Sequence, residues 1–329
     1  MSVVRTASFR DLGRIEEIQR DGGGELSEVA NRGTVRLWSL VSQTLSNILP
    51  ALYSETLLYV MEDDGAVVGF IQASNRPAAV GLAGATTLQV LNLCVAPEVD
   101  FDEVGRELVD HLSNQALQRG IHRLFVRLPL EDRLVPLFRK NSFRQYAIEH
   151  VMYSDGAEAE PIAEPKSELL GLRPEKRRDQ AQVYQLYRKL TPRGIAIIEA
   201  PNFKEWRSLR GEWFGHHTTR GDSDQQSVVD RTEIVGWLRV QKSSSTRPHT
   251  LTFMALPEDH LPEEMVSYAL SLLSATPGPV WSSLRHYDSH MIEALRARGF
   301  ETLVTQSLMV KELALRLPVR QKGLVPAFG

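Results

Sequence analysis

Residues 87–109 read TLQVLNLCVAPEVDFDEVGRELV. The apolar run Val90, Leu91, Leu93, Cys94 and Val95 has the character of a buried strand. Pro97 ends it, and a short acidic loop follows. Val104, Leu108, Leu112 and Ala116 then recur at helical spacing, so a helix is predicted to start near Asp102. A strand, a tight loop and a helix N-terminus form a geometry suited to holding a phosphate.

Outward from this stretch, the whole chain sets bounds. At 329 residues it is long for one domain and comfortable for two. Its hydrophobic content of 42% and charged content of 24% belong to ordinary globular proteins. A net charge of -3 gives no reason to expect a nucleic acid or an anionic membrane as partner. Cys94 is the one cysteine, which excludes an internal disulfide and fits a buried, inert thiol. The first residues, MSVVRTASFRDLGRIEE, lack the apolar centre of a signal peptide, and no run of about 18 apolar residues exists. The expectation is a cytoplasmic protein.

In order, Ser2 to Ala7 reads as a strand and Phe9 to Gln19 as a helix with Leu12, Ile15 and Ile18 on one face. A loop with Gly22, Gly23 and Gly24 precedes a second helix over Val35 to Leu49. Asp64-Gly65 between the runs Thr56 to Met61 and Val67 to Asn75 signals a hairpin. After the central strand and helix, which ends at Gly120, come a strand from His122, a helix from Glu131 and a strand from Phe143 to Tyr153. Residues 154–168, rich in Ala, Glu and Pro, read as a linker.

The pattern then begins again. Leu169 to Arg173 is a strand, Lys176 to Leu190 a helix, and Thr191 to Trp206 a helical region broken by prolines. Gly215 to Gln226 is polar and expected to be mobile. Strands over Glu233 to Lys242, Thr250 to Leu256, Val280 to His286 and Phe300 to Val310 alternate with helices over Glu263 to Ser274 and Ser289 to Arg298. The ends of the two halves echo each other, LFRKNSFRQYAIEHVMY against ALRARGFETLVTQSLMV. A repeat of this length is a duplicated domain. The division is residues 1–153, a linker 154–168, residues 169–313, and a tail 314–329.

This order, with the phrase GAVVGFIQAS before the central strand, resembles tandem proteins of the GNAT N-acetyltransferase family. The resemblance implies an α/β (α+β) fold of two GNAT-like domains, each a mixed, mostly antiparallel twisted sheet flanked by helices. It also implies acetyl-CoA or another acyl-CoA as cofactor. By family position, Leu93, Cys94, Val95, Gly105 and Arg106 would contact it. The family's diphosphate loop, Q/R-x-x-G-x-G/A, falls here on Asp100 to Gly105, where only Gly105 matches. Asp100, Asp102 and Glu103 would repel a diphosphate lying within a Debye length of about 8 Å. As helix caps the same residues are favourable. The equivalent loop of the second half, Pro257 to Glu264, has no glycine, and Pro262 removes a donor.

The family's general-acid tyrosine corresponds to Phe138 and Leu295, neither of which donates a proton. Tyr287 is a polar aromatic at the start of the last helix. Glu62, Gln89, Asn92, His249 and His286 lie near the central strands as candidate bases, without a recognisable pair. His216-His217 lacks a third ligand at usable spacing for a metal. Two readings follow: an acyl-CoA-dependent N-acyltransferase working in the first half, or a pseudo-transferase that binds a small molecule or a protein without turnover. Catalytic residues, acceptor and oligomeric state are left open.

Overall fold

The computed structural model describes residues 2–22, 56–75, 87–156, 171–210, 223–243, 248–258, 260–276 and 278–313. The expected helix over Val35 to Leu49, the glycine run from Gly23, the linker from residue 157, His216-His217 and the tail lie outside the described residues.

The first half contains β1 (Val3–Thr6), a 3-10 turn, α1 (Leu12–Gly22), β2 (Thr56–Asp63), β3 (Ala66–Asn75), β4 (Thr87–Val95), α2 (Phe101–Gln118), β5 (Arg123–Pro129), α3 (Leu134–Lys140) and β6 (Arg144–Ser154). The second contains β7 (Leu172–Pro174), a 3-10 turn, α4 (Gln180–Leu190), α5 (Arg193–Glu199), α6 (Phe203–Leu209), β8 (Ser223–Asp230), β9 (Ile234–Lys242), β10 (His249–Ala255), α7 (Leu261–Leu273), β11 (Val280–Arg285), α8 (Ser289–Arg296) and β12 (Glu301–Glu312). One expectation fails: Ser223 to Gln226 are not a mobile loop but half of β8. Their polar side chains are compatible with pairing because Asp224 reaches across to Arg239 on β9, at 2.7 Å.

The two halves share one sheet of order β1-β2-β3-β4-β5-β12-β6-β11-β10-β9-β8-β7. Only β4–β5 and β10–β11 pair in parallel among the described strands. Each half gives its last strand to the other: β12 pairs with β5, β6 pairs with β11, and the two exchanged strands pair with each other. The cores follow. Met309 of β12 packs into the first-half core, and Met152 of β6 into the second-half core.

Duplication is visible in the chemistry as well. Arg5 forks onto Asp11 and reaches Glu62, 57 positions on. Arg173 forks onto Asp179 and reaches Asp230, also 57 positions on. Bidentate pairs of this kind fix the strand against the following turn. In the same way Gly69 and Gly236 let the central helices press on the sheet. A Cβ at Gly69 would stand 2.8 Å from Val104 and 3.1 Å from the Cys94 carbonyl, and one at Gly236 would stand 2.7 Å from the sulfur of Met265.

A buried charge cluster pins the exchanged β6. Glu149 of β6 lies opposite Arg285 of β11 and is 2% exposed. Arg285 hydrogen-bonds Glu149 through one guanidinium nitrogen and Glu199 of α5, at 2.8 Å, through another. Tyr146 donates to Glu199 at 3.2 Å. Burial works against the charge on Arg285, but Glu199 and Glu149 hold its pKa well above the ordinary value.

Three substitutions are read by urea unfolding. Gly69→Ala is expected to cost about 1–3 kcal/mol, because Val104 and the backbone must give way. Gly13→Ala, in α1 with nothing within 4 Å of the new Cβ, should stabilise by about 0.5–1 kcal/mol. Arg285→Met should cost about 3–5 kcal/mol, because it strands two buried carboxylates.

Candidate functional site

Each half opens a wedge in the sheet where its parallel pair diverges. In the first half β4 and β5 pair only from Thr87 to Gln89 and Arg123 to Phe125, although β4 continues to Val95 and β5 to Pro129. From Val90 onward the β5-facing edge of β4 has no strand against it among the described residues. The register with β3 also jumps from Ala73↔Val90 to Gln72↔Asn92, so Leu91 is the extra residue of a bulge, 41% exposed. Asn92 donates to the buried Gln72 at 2.7 Å, which leaves the amide pair satisfied on the strand.

The predicted contact residues cluster unevenly around this wedge. Leu93 and Val95 are buried on β4. Burial pushes the Cys94 thiol up to about 12, so it is held as the neutral, unreactive form. Gly105 faces α3: a Cβ there would stand 2.6 Å from Leu137, so its bareness serves helix packing. Arg106 is exposed on an open depression of about 370 Å3 shared with Asp100, Asp102, Glu103 and Lys140. Asp100 caps α2 by accepting from the Glu103 N–H at 2.8 Å. Asp102 pairs with Lys140. The helix start therefore already holds carboxylates where an anion would sit.

The candidate bases are occupied or remote. Glu62 answers Arg5, and Gln89 donates to the Val90 carbonyl at 3.2 Å. His249 lies between the Ser243 N–H and the Thr276 carbonyl, and His286 is exposed. Phe138 and Leu295, at the tyrosine positions, are fully buried core.

The second-half wedge is closed. β10 and β11 pair over His249–Leu251 and Val280–Ser282 and then part, but β10 runs against β9 with no register shift. The space between them is filled by the Arg285 cluster and leaves a cavity of about 40 Å3. Its wall includes Glu149, Tyr187, Glu199, Thr252, Tyr287 and Asp288. Burial, then Glu199, raises the pKa of both tyrosines. Burial pushes Asp288 up to about 7. Tyr287 was visible in the sequence as a polar aromatic. Glu149, Glu199, Arg285 and Asp288 were missed, though Glu149 occupies the buried phase of its strand between Ala147 and Val151.

Asp288 sets a pH dependence. The folded state holds its proton more tightly than the unfolded chain, so the stability it confers is complete below about pH 4. That stability, up to about 4 kcal/mol, is lost as the pH rises through about 7. Denaturation midpoints should therefore fall between pH 5 and pH 8, and Asp288→Asn should flatten the fall.

Residues 27–143 match the Acetyltransferase (GNAT) family. Among curated proteins, none matches the sequence. A GCN5-related N-acetyltransferase from Sphaerobacter thermophilus is similar in structure, with TM-score 0.60 at 12% identity, over 95% of this chain and 96% of that one. A GCN5-related glucosamine N-acetyltransferase region of a fungal multi-domain GH3 β-N-acetylglucosaminidase gives TM-score 0.60 at 13% identity, over 94% of this chain and 38% of that one. A GCN5-related N-acetyltransferase from Kribbella flavida gives TM-score 0.50 at 11% identity, over 95% and 71%. At these identities the likeness is one of fold. No helix among the described residues is long and apolar enough to cross a membrane. The protein is thus a tandem of two GNAT-like units, the first of which carries the family's sequence pattern.

Proposed function

We propose that the first half binds an acyl-CoA, acetyl-CoA or a longer relative, and transfers its acyl group to an amine, while the second half serves as a structural partner. The observation that carries this reading is the edge of β4 from Val90 to Val95, bulged at Leu91 and free of β5. A pantetheine arm carries amides that can add to such an edge as a short strand would. Among the described residues, the second-half wedge leaves only a cavity of about 40 Å3, too small for such an arm.

In the reaction the amine lone pair attacks the thioester carbonyl, the C–S bond breaks, and CoA leaves as a thiolate. Phe138 offers no proton, so the thiolate takes one from water or from the acylated ammonium. The acceptor is a small molecule or a protein amine; nucleic acid and membrane are not partners in this reading. Acyl-CoA is a cytoplasmic metabolite, and the proposal sets the protein there.

A second reading, a scaffold that binds without turnover, is favoured by Asp100, whose carboxylate takes the Glu103 N–H that a diphosphate would need. A titration and a thiol-release assay together separate the readings. Saturation with acetyl-CoA at 100 times its dissociation constant should add about 2.7 kcal/mol and raise the melting temperature. Asp102→Asn with Glu103→Gln should tighten binding several-fold by removing like charge. No shift at millimolar acetyl-CoA sinks the cofactor proposal. A shift without release of free thiol over a panel of amines leaves the scaffold.

A further inference from the structure

The cavity between β10 and β11 has no part in the reading above. Three strand steps along the sheet separate its β11 wall from β5, roughly 15 Å from the first-half wedge. Its 40 Å3 takes about three water-sized groups, at roughly 10–15 Å3 for each.

The charges around it do not balance locally. Arg285 is shared between Glu149 and Glu199, and Arg127 stands 3.9 Å from Glu149. Asp288 has no ion-pair partner among the described residues, though it lies on the same wall. Thr252, 4% exposed and also on the wall, has a hydroxyl with no hydrogen-bond partner among the described residues. A half-buried carboxylate outside any ion pair is costly, and buried hydroxyls without a partner are rare.

We propose that this cavity binds a small primary ammonium ion, of the size of methylammonium or ethylammonium, held by Asp288, Glu199 and the Thr252 hydroxyl. Such an ion has three N–H donors set tetrahedrally, and these three oxygens are acceptors from β10, α5 and the turn after β11. Tyr187 and Tyr287 line the same space. Two or three heavy atoms fill the volume, and a quaternary ion does not fit.

Protons compete for the same charge deficit. Asp288 is faced by Arg285, which favours its ionised form, and by Glu199, which opposes it; Glu149 of β6, Tyr187 of α4 and Tyr287 complete its surroundings. With its proton leaving at about pH 7, ammonium binding should be roughly thirtyfold weaker at pH 5.5 than at pH 8.

The full-length protein is melted in methylammonium, ethylammonium, tetramethylammonium and sodium chlorides at equal ionic strength, at pH 8 and pH 5.5. The expected result is a saturable rise in melting temperature with the two primary ions at pH 8 only, and its loss in Asp288→Asn and Thr252→Val. The same rise with tetramethylammonium or sodium, a rise of equal affinity at pH 5.5, or no rise at all overturns the proposal. Should neither variant fold, the ion-size and pH series on the unmodified protein decides. Response to acetyl-CoA is a separate measurement and its outcome does not bear on this site.

Discussion

The reciprocal exchange of β6 and β12 is the constraint on which the rest of the molecule depends. Neither half completes its sheet without a strand from the other. The exchange is held by apolar burial at Met152 and Met309 and by a buried charged contact, Arg285 with Glu149 and Glu199. Apolar contacts are tolerant of register, but this one is not. A slip of β6 by one residue would turn Glu149 to the opposite face and leave Arg285 without its cross-strand partner. The cluster therefore selects one alignment of two strands that would otherwise pair in several.

That selection has a cost in the second half. Glu149 can be buried beside Arg285 only because β10 and β11 diverge, and the side chains that neutralise it occupy the wedge. In the first half the corresponding space keeps a bulge and a strand edge free of β5. The two units retain the same Arg–Asp lock after their first strand and the same glycine beneath the central helix. Parts that hold the fold have stayed alike, and parts that line the wedges have moved in opposite directions, one open and one filled with ions.

Much of this was legible from local pattern. Most strands and helices among the described residues depend on periodicity within a few residues, and they lie close to where the periodicity puts them. The exchange was not legible, because an apolar alternating strand reads the same whichever neighbour it pairs with. β8 was hidden by its polar first half, whose stability comes from Arg239 on another strand. At the candidate site Gly105 fitted a phosphate-loop pattern, but the structure turns it against Leu137. Of the acidic residues at 100, 102 and 103, read as helix caps, Asp100 does cap α2, a contact between near neighbours that local sequence can show. The Glu199–Arg285 pair spans 86 positions, and no spacing rule reaches that far.

The acidic helix start and the β4 edge pull in different directions, and their chemistry says which part of the proposed CoA each would govern. The carboxylates of Asp100 and Asp102 stand at the α2 N-terminus and act on charge, so they bear on the diphosphate. The strand edge is neutral and acts through backbone N–H and C=O groups, so it bears on the amides of the arm. Coulomb repulsion at the surface is softened by salt and by the Lys140 ion paired with Asp102, whereas backbone hydrogen bonds are not screened in the same way. A ligand whose arm is engaged and whose phosphates stay in solvent satisfies both constraints. Such a ligand would be held by its thioester end, the end at which the proposed acyl transfer would occur.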